Sequence, residues 1–302
     1  MAPGLAGLAR LRHHKPDVTM IEGQASHTAY RVALRRAAHQ LLDQPKVLDD
    51  PVALRIIGRE AAAALDANPR HYETTLVAPY LRAFMAVRSR CAEDELALAV
   101  KRGVTQYVVL GAGLDTFAYR NSFPTLRVFE VDHPSTQAWK RTQLAENDIP
   151  IPDSLRFVPV DFASQTIEDR LPAEGFDTKA PAFFSWLGVT MYLQPERVLE
   201  TLRYIASFPV GGGVVFDYAV PRSSLGFFQK RIFDRMAQSV EAAGEPWIGF
   251  FDPAQLAADL RAMGYSYVED LGGDEINEKY FANREDGLMV GSLAHLMVAR
   301  HG

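Results

Sequence analysis

The chain has 302 residues, 48% of them hydrophobic and 23% charged, so it can bury a large core of the ordinary globular kind. A formal net charge of -5 gives no general attraction to nucleic acid or to an anionic lipid surface, and neither is expected as a partner. The single cysteine, Cys91, excludes an internal disulfide and a cysteine-built metal site, and the histidines show no H-E-x-x-H spacing, so no metal is expected.

The amino end reads MAPGLAGLARLRHHKPD. Its apolar stretch is short and broken by Arg10 and Arg12, unlike a signal peptide, and His13-His14 reads as a solvated tail. No run approaches the roughly eighteen apolar residues of a membrane span. The expectation is a cytoplasmic protein with one domain over residues 1–302.

Residues 1–103 read as a helical extension. Ser26 is placed to cap a helix running to about Leu42. Asp50-Pro51, a cap followed by proline, opens a second helix that Asn68-Pro69 ends. A third runs from about Pro79 to Lys101, with Gly103 as its stop. From residue 104 the texture changes to short β-rich runs, each followed by a helix-length stretch: Tyr107–Leu110, Arg127–Val131, Leu155–Val160, Ala182–Leu187 and Val214–Tyr218. They are apolar on both faces, as strands of a covered parallel sheet are. Five such units imply right-handed crossovers and a doubly wound sheet. Tyr265–Leu271 and His295–Arg300 complete seven strands, mostly parallel.

Between the fifth strand and Gly264 lies an insertion. Leu225, Phe228, Ile232, Met236 and Val240 fall at helical spacing along a helix of about Ser224–Ala243, followed by the aromatic loop Trp247-Ile-Gly-Phe-Phe251. Two readings stand: a helix packed on the core, or a lid over about 222–251 that excludes water from a substrate pocket.

The chemistry gathers at strand ends. The first β run enters Gly111-Ala112-Gly113, where a helix is expected to begin shortly afterwards; glycines let a ligand approach the backbone, although a plain tight turn would look the same. The second strand ends at Asp132, 21 residues after Gly111, where an acid takes ribose hydroxyls in nucleotide-binding sheets. The third ends in Asp161-Phe162, an acid and an apolar ring suited to the edge and face of an adenine. Acids at sheet edges also serve as helix caps, an alternative that weighs more for Asp161 than for Asp132. The dinucleotide fingerprint wants a third glycine where Thr116 stands, so NAD(P) and an oxidoreductase are the weaker reading. A nucleoside without phosphates suits the pattern, which describes S-adenosylmethionine (SAM). Arg88 falls inside the apolar stripe of the third helix and needs an anion to replace its lost hydration. That anion is either a ligand carboxylate or one of the strand-end acids.

The chain resembles the leucine carboxyl methyltransferase-like family, in its bacterial SAM-dependent branch. The resemblance rests on Ser26-His-Thr-Ala29 with Arg36-Ala37, Asp49-Asp-Pro51, Arg88-Ser-Arg90, Leu110-Gly-Ala-Gly-Leu-Asp-Thr116 with Tyr119-Arg120, Phe129-Glu-Val-Asp-His-Pro134, Val160-Asp-Phe162 and Gly188-Val-Thr-Met-Tyr-Leu193. It implies a class I methyltransferase Rossmann-like fold with a capping lid, and SAM as methyl donor. It further implies Arg88 on the SAM carboxylate, Gly111 beside the methionine portion, Asp132 on the ribose, and Asp161 with Phe162 at the adenine, with Gly113 also expected to bind the cofactor. Relatives often carry an acid just before the glycine of the fourth-strand motif, where this chain has Leu187. No D-P-P-Y tetrapeptide follows the fourth strand, so the expected reaction is O-methylation of a small molecule. A non-catalytic SAM-binding protein of the same fold is the alternative. His133 and Tyr192 are the side chains near the strand ends that could act as a base, and neither stands out.

Overall fold

In the computed structural model, residues 27–161, 164–242, 244 and 246–302 are described; Ser26 and Phe162, both named above, lie outside them. A seven-stranded sheet is built from β1 (Gln106–Leu110), β2 (Arg127–Asp132), β3 (Leu155–Pro159), β4 (Phe183–Trp186), β5 (Gly213–Ala219), β6 (Tyr267–Leu271) and β7 (Ala294–Arg300). The spatial order is β3-β2-β1-β4-β5-β7-β6, with β7 antiparallel to both neighbours and the other pairings parallel. Every strand expected from the apolar runs is present, within two residues of its expected ends.

The strands are apolar throughout because both faces are covered. On one side Tyr107, Val109, Val128, Phe183 and Val215 pack against α1 (His27–Leu42), α2 (Ala53–Ile56), α3 (Arg59–Ala67) and α4 (Ala78–Lys101). On the other, Val108, Phe129, Val158, Phe184 and Phe216 pack against α6 (Ile167–Ala173), α7 (Pro195–Ala206), α8 (Phe227–Ala242) and α9 (Pro253–Ala262). Here α5 (Pro134–Glu146) and α10 (Gly273–Tyr280) join the first layer through Leu144 and Ile276. None of the described helices is long and apolar enough to cross a membrane.

Three expectations need correction. The second helix is two: Gly58, at φ +89°, separates α2 from α3. Asp50 still accepts the backbone N–H of Val52, but the residues it opens form a turn rather than helix. No α-helix begins after Gly113, where a single 3₁₀ turn, Phe117–Arg120, leads to β2. In α8, Phe228 is 79% exposed; the ring that packs inward is Phe233, at 6%. Of the five apolar positions expected to face inward, Leu225 is buried, Ile232, Met236 and Val240 are partly buried, and Phe228 alone is exposed.

Candidate functional site at the carboxyl edge of the sheet

Register brings the strand-end residues together. Leu110 lies opposite Val131 and Trp186, and Asp132 lies opposite Pro159. Gly111, Asp132, Asp161 and Gly188 therefore leave the sheet along one edge, beside the reversal of strand order between β1 and β4, where open α/β sheets bind ligands.

Gly111 (φ +67°) and Gly113 (φ +42°) hold backbone conformations that side-chain-bearing residues avoid. Gly111 N–H donates to the Val131 carbonyl at 2.8 Å, and a side chain on Gly111 would run into Val189. Gly113 N–H donates to Asp132 Oδ2 at 2.6 Å, and a Cβ there would sit 3.1 Å from that of Ala29, so the start of α1 covers this turn. Asp132 Oδ1 accepts the N–H of His133 at 2.7 Å. Burial raises the Asp132 pKa, while the Gly113 and His133 amides work the other way. Both carboxylate oxygens thus accept a backbone N–H, and Thr136 also acts on this carboxylate.

Asp161 is half-buried. Its Oδ2 accepts from Ser164 Oγ at 2.9 Å and its carbonyl from Gln165 N–H at 2.7 Å, so it braces a turn; the cap of α6 is Thr166. His133 caps α5, with its Nδ1 accepting Ser135 N–H, and shapes that turn. Tyr192 sits in a 3₁₀ turn, Thr190–Tyr192, after β4.

The partner of Arg88 is neither of the strand-end acids weighed from sequence but Asp217, inside β5. Nη1 donates to Asp217 Oδ2 of β5 at 2.8 Å, and the same carboxylate takes Gly188 N–H at 2.5 Å. The other guanidinium nitrogens carry no hydrogen bond among the described residues, and a Cβ on Gly188 would come within 2.9 Å of Nη2. The fork therefore packs over the Gly188 turn, with 7% of the side-chain surface exposed. Asp217 was missed from sequence. The signal was an acid inside an otherwise apolar strand, complementary to an arginine inside an apolar helical stripe.

Thr116, where a dinucleotide site would have its third glycine, is wholly buried and does a different job. Its hydroxyl donates to Asp50 Oδ2 at 2.6 Å and accepts from Arg36, which also pairs with Asp50 at 2.6 Å. Burial works against the Asp50 carboxylate, but Arg36, Arg120 and Thr116 hold its pKa below the ordinary range. The glycine turn is thereby fastened to α1 and to the start of α2.

The aromatic loop is pinned across two strand ends. Ile248 and Gly249 N–H donate to the Met191 carbonyl at 2.8 and 3.0 Å, and Phe251 N–H donates to that of Ala219 at 3.0 Å. Phe233 of α8 lies over it, with ring centroids 5.7 Å from Trp247 and 5.6 Å from Phe250. The helix thus packs on the loop, and the loop is tied by backbone hydrogen bonds to Met191 after β4 and to Ala219 of β5. A separate groove of about 890 Å³, bordered by Tyr30, His71, Tyr72 and Trp139, runs along the carboxyl-terminal half of α5, away from these strand ends.

The family model for leucine carboxyl methyltransferase matches residues 29–206. A Bacillus subtilis (strain 168) protein, YktD, provisionally named an S-adenosyl-L-methionine-dependent methyltransferase, is 32% identical over 303 aligned positions, covering 93% of this chain and 99% of its own. A Mycobacterium avium (strain 104) protein of the same provisional name is 33% identical over 70% of each chain. Among solved structures, a DUF574-family protein from Streptomyces avermitilis MA-4680 is similar in fold at TM-score 0.52 and 14% identity, over 93% of this chain and 99% of that one. A Thermobifida fusca YX protein provisionally named a methyltransferase has TM-score 0.50 at 17% identity, over 89% and 94%.

Proposed function

The chain belongs to the leucine carboxyl methyltransferase family, and from that premise we propose that it methylates an oxygen atom of a small-molecule acceptor in the cytoplasm. It is a SAM-dependent methyltransferase, and SAM, when bound, supplies an electrophilic methyl group on a sulfonium. The observation that carries the site assignment is the Asp132 carboxylate, tied through Gly113 N–H to the glycine turn at the sheet's switch point. A carboxylate beside a glycine turn at the switch point supports a ribose with its attached methionine chain as the ligand.

In this reading Asp132 accepts from the ribose hydroxyls, Gly111 and Gly113 let the backbone approach the methionine portion, and Arg88 takes its carboxylate beside Asp217. Asp161 lies at the adenine edge. Displacement at a methyl carbon is in line, so the work of the protein is alignment and exclusion of water, the second supplied by the roof of α8 and the 247–251 loop. The family's own name describes transfer to a carboxyl oxygen, which supports O-methylation here. Isothermal titration of the full chain with SAM tests the site: saturable binding is expected, and no heat at millimolar SAM overturns it.

A further inference from the structure

The groove between the amino-terminal helices and α5 is unused by methyl transfer. Its volume of about 890 Å³ falls within the roughly 300–1,000 Å³ of small-molecule sites. Local sequence makes its walls. Trp139, Gln143 and Glu146 recur on α5 at i, i+4 and i+7, so they share one helix face, and all three border the groove. On α3 the bordering residues include Ala61 and Ala64, whose short side chains leave the space unfilled. Tyr30 of α1 meets the Trp139 ring edge-on, with centroids 6.1 Å apart, and its hydroxyl donates to the Ile57 carbonyl at 2.9 Å, which fixes the ring. His71 and Tyr72 add a second edge-on pair at 4.7 Å.

The charge around these rings is one-sided. Glu60 and Glu146 border the groove, and neither carboxylate has an ion pair or hydrogen bond among the described residues. Arg59 also borders it but reaches Asp148 Oδ2 at 3.3 Å, with both side chains more than four-fifths exposed, so its head is in solvent. Arg55 gives Nη2 to the carbonyls of Asn147 and Asp148, at 3.2 and 2.6 Å, and does not border the groove. Burial, then Tyr72 and Glu60, raise the Tyr30 pKa, so the Glu60 charge is felt at that ring.

We propose that this groove binds a small aromatic amine in its cationic form, with the ring against Tyr30 and Trp139 and the ammonium toward the Glu60 and Glu146 carboxylates. The site is separate from methyl transfer and does not depend on the donor assignment above.

The chemistry of the walls selects this class. Two rings held edge-on leave a face and an edge to a third, and aromatic pairs favour such contacts at centroid distances of about 4.5–7 Å. Ring faces also attract cations, tryptophan most of all. Two uncompensated carboxylates oppose an anion, which excludes phosphate, nucleotide and carboxylate ligands. An aliphatic amine would rely on charge alone, and charges this close to water contribute little. A ligand that carries both a ring and a positive charge uses the whole groove. The anchored Tyr30 means that the aromatic wall stands before the ligand arrives, which lowers the ordering cost of binding.

The test titrates the full chain with tryptamine at about pH 7, where an amine whose pKa is near the lysine value of about 10 is charged. Indole-3-propionate carries the same ring with the opposite charge, and n-butylamine carries the charge without a ring. Calorimetry gives Kd, and the indole N–H resonances of the three tryptophans, Trp139, Trp186 and Trp247, report where the probe lies. Tryptamine should bind with a Kd of about 0.1–1 mM, ordinary for its size, and shift the Trp139 resonance most. The other two probes should bind at least about tenfold more weakly. Trp139→Ala should weaken tryptamine binding at least about tenfold, whereas Trp139→Phe, which keeps a ring, should stay within about threefold. The Glu60→Gln, Glu146→Gln double variant should lose about fivefold and discriminate less against indole-3-propionate. Saturating S-adenosylhomocysteine should leave the tryptamine Kd within about threefold, because the sites are separate.

No saturable tryptamine binding up to about 10 mM overturns the proposal, as does equal binding of the anionic probe. Wild-type affinity in Trp139→Ala, or displacement of tryptamine by S-adenosylhomocysteine, overturns it as well. Loss of SAM binding with tryptamine binding intact would strike the donor site alone, so the two readings fail separately.

Discussion

Arg88 of α4 and Asp217 of β5 meet at 2.8 Å although 129 residues separate them, and neither side chain keeps more than 7% of its surface. Asp217 also takes Gly188 N–H, and its carbonyl takes Thr190 Oγ1 at 2.6 Å. One residue therefore positions both the arginine and the turn beside Gly111. Removing a single partner of such a pair leaves an uncompensated buried charge. Asp217→Ala should lower the free energy of unfolding by about 3–5 kcal/mol in urea titrations. Arg88→Met added to it should recover much of that loss, because it removes the stranded charge. A loss under about 1 kcal/mol in the single variant would show that water reaches Arg88 freely.

Asp132 serves two purposes that can be separated. Asp132→Ala removes the proposed ribose acceptor and should weaken SAM binding at least about tenfold by calorimetry, or about 1.4 kcal/mol. It also frees Gly113 and His133 N–H, with a stability cost of about 1–2 kcal/mol. Unchanged SAM affinity, with the stability loss present, would leave Asp132 a structural brace only.

Glu130 sits two residues before Asp132, facing Lys140 at 2.6 Å with both side chains at most 2% exposed. Burial pushes the Glu130 pKa up to about 7 from 4.5, against the pull of Lys140. The folded chain thus holds this proton more tightly than the unfolded chain, so the contribution is fully present below about pH 4.5 and is lost as pH rises to about 7. Wild type should lose on the order of 2 kcal/mol across that window relative to a Glu130→Gln, Lys140→Met double variant. Parallel pH profiles for the two would contradict the shift.

Gly249 holds the aromatic loop down. A Cβ on it would press on the carbonyls of Thr190 and Leu193, the latter at 2.6 Å, and backbone there cannot yield as a flexible side chain would. Gly249→Val should lift residues 247–251 and speed chymotryptic cleavage there several-fold, with SAM affinity held within about twofold. Cleavage at the wild-type rate would mean that the loop accommodates the side chain in place.

The sequence by itself determined the seven strands, their mostly parallel arrangement and the ends at which Gly111, Asp132 and Asp161 emerge. Those features follow from local signals: a strand buried on both faces must be apolar at every position, and a turn at positive φ selects glycine. The periodic apolar residues of α4 also exposed Arg88 as a charge in need of a partner. Which partner it has was decided only by the order β1-β4-β5 and the packing of α4, which place Asp217 beneath it. Tertiary contacts likewise decided that Thr116 fastens the glycine turn to Arg36 and Asp50, that Phe233 rather than Phe228 faces inward, and that Tyr218, Asp270 and His295 share one network. Hydrophobic period and turn chemistry depend on neighbours along the chain, whereas charge pairing across strands depends on register and strand order. Folding resolves those two across intervals of 25 to 129 residues.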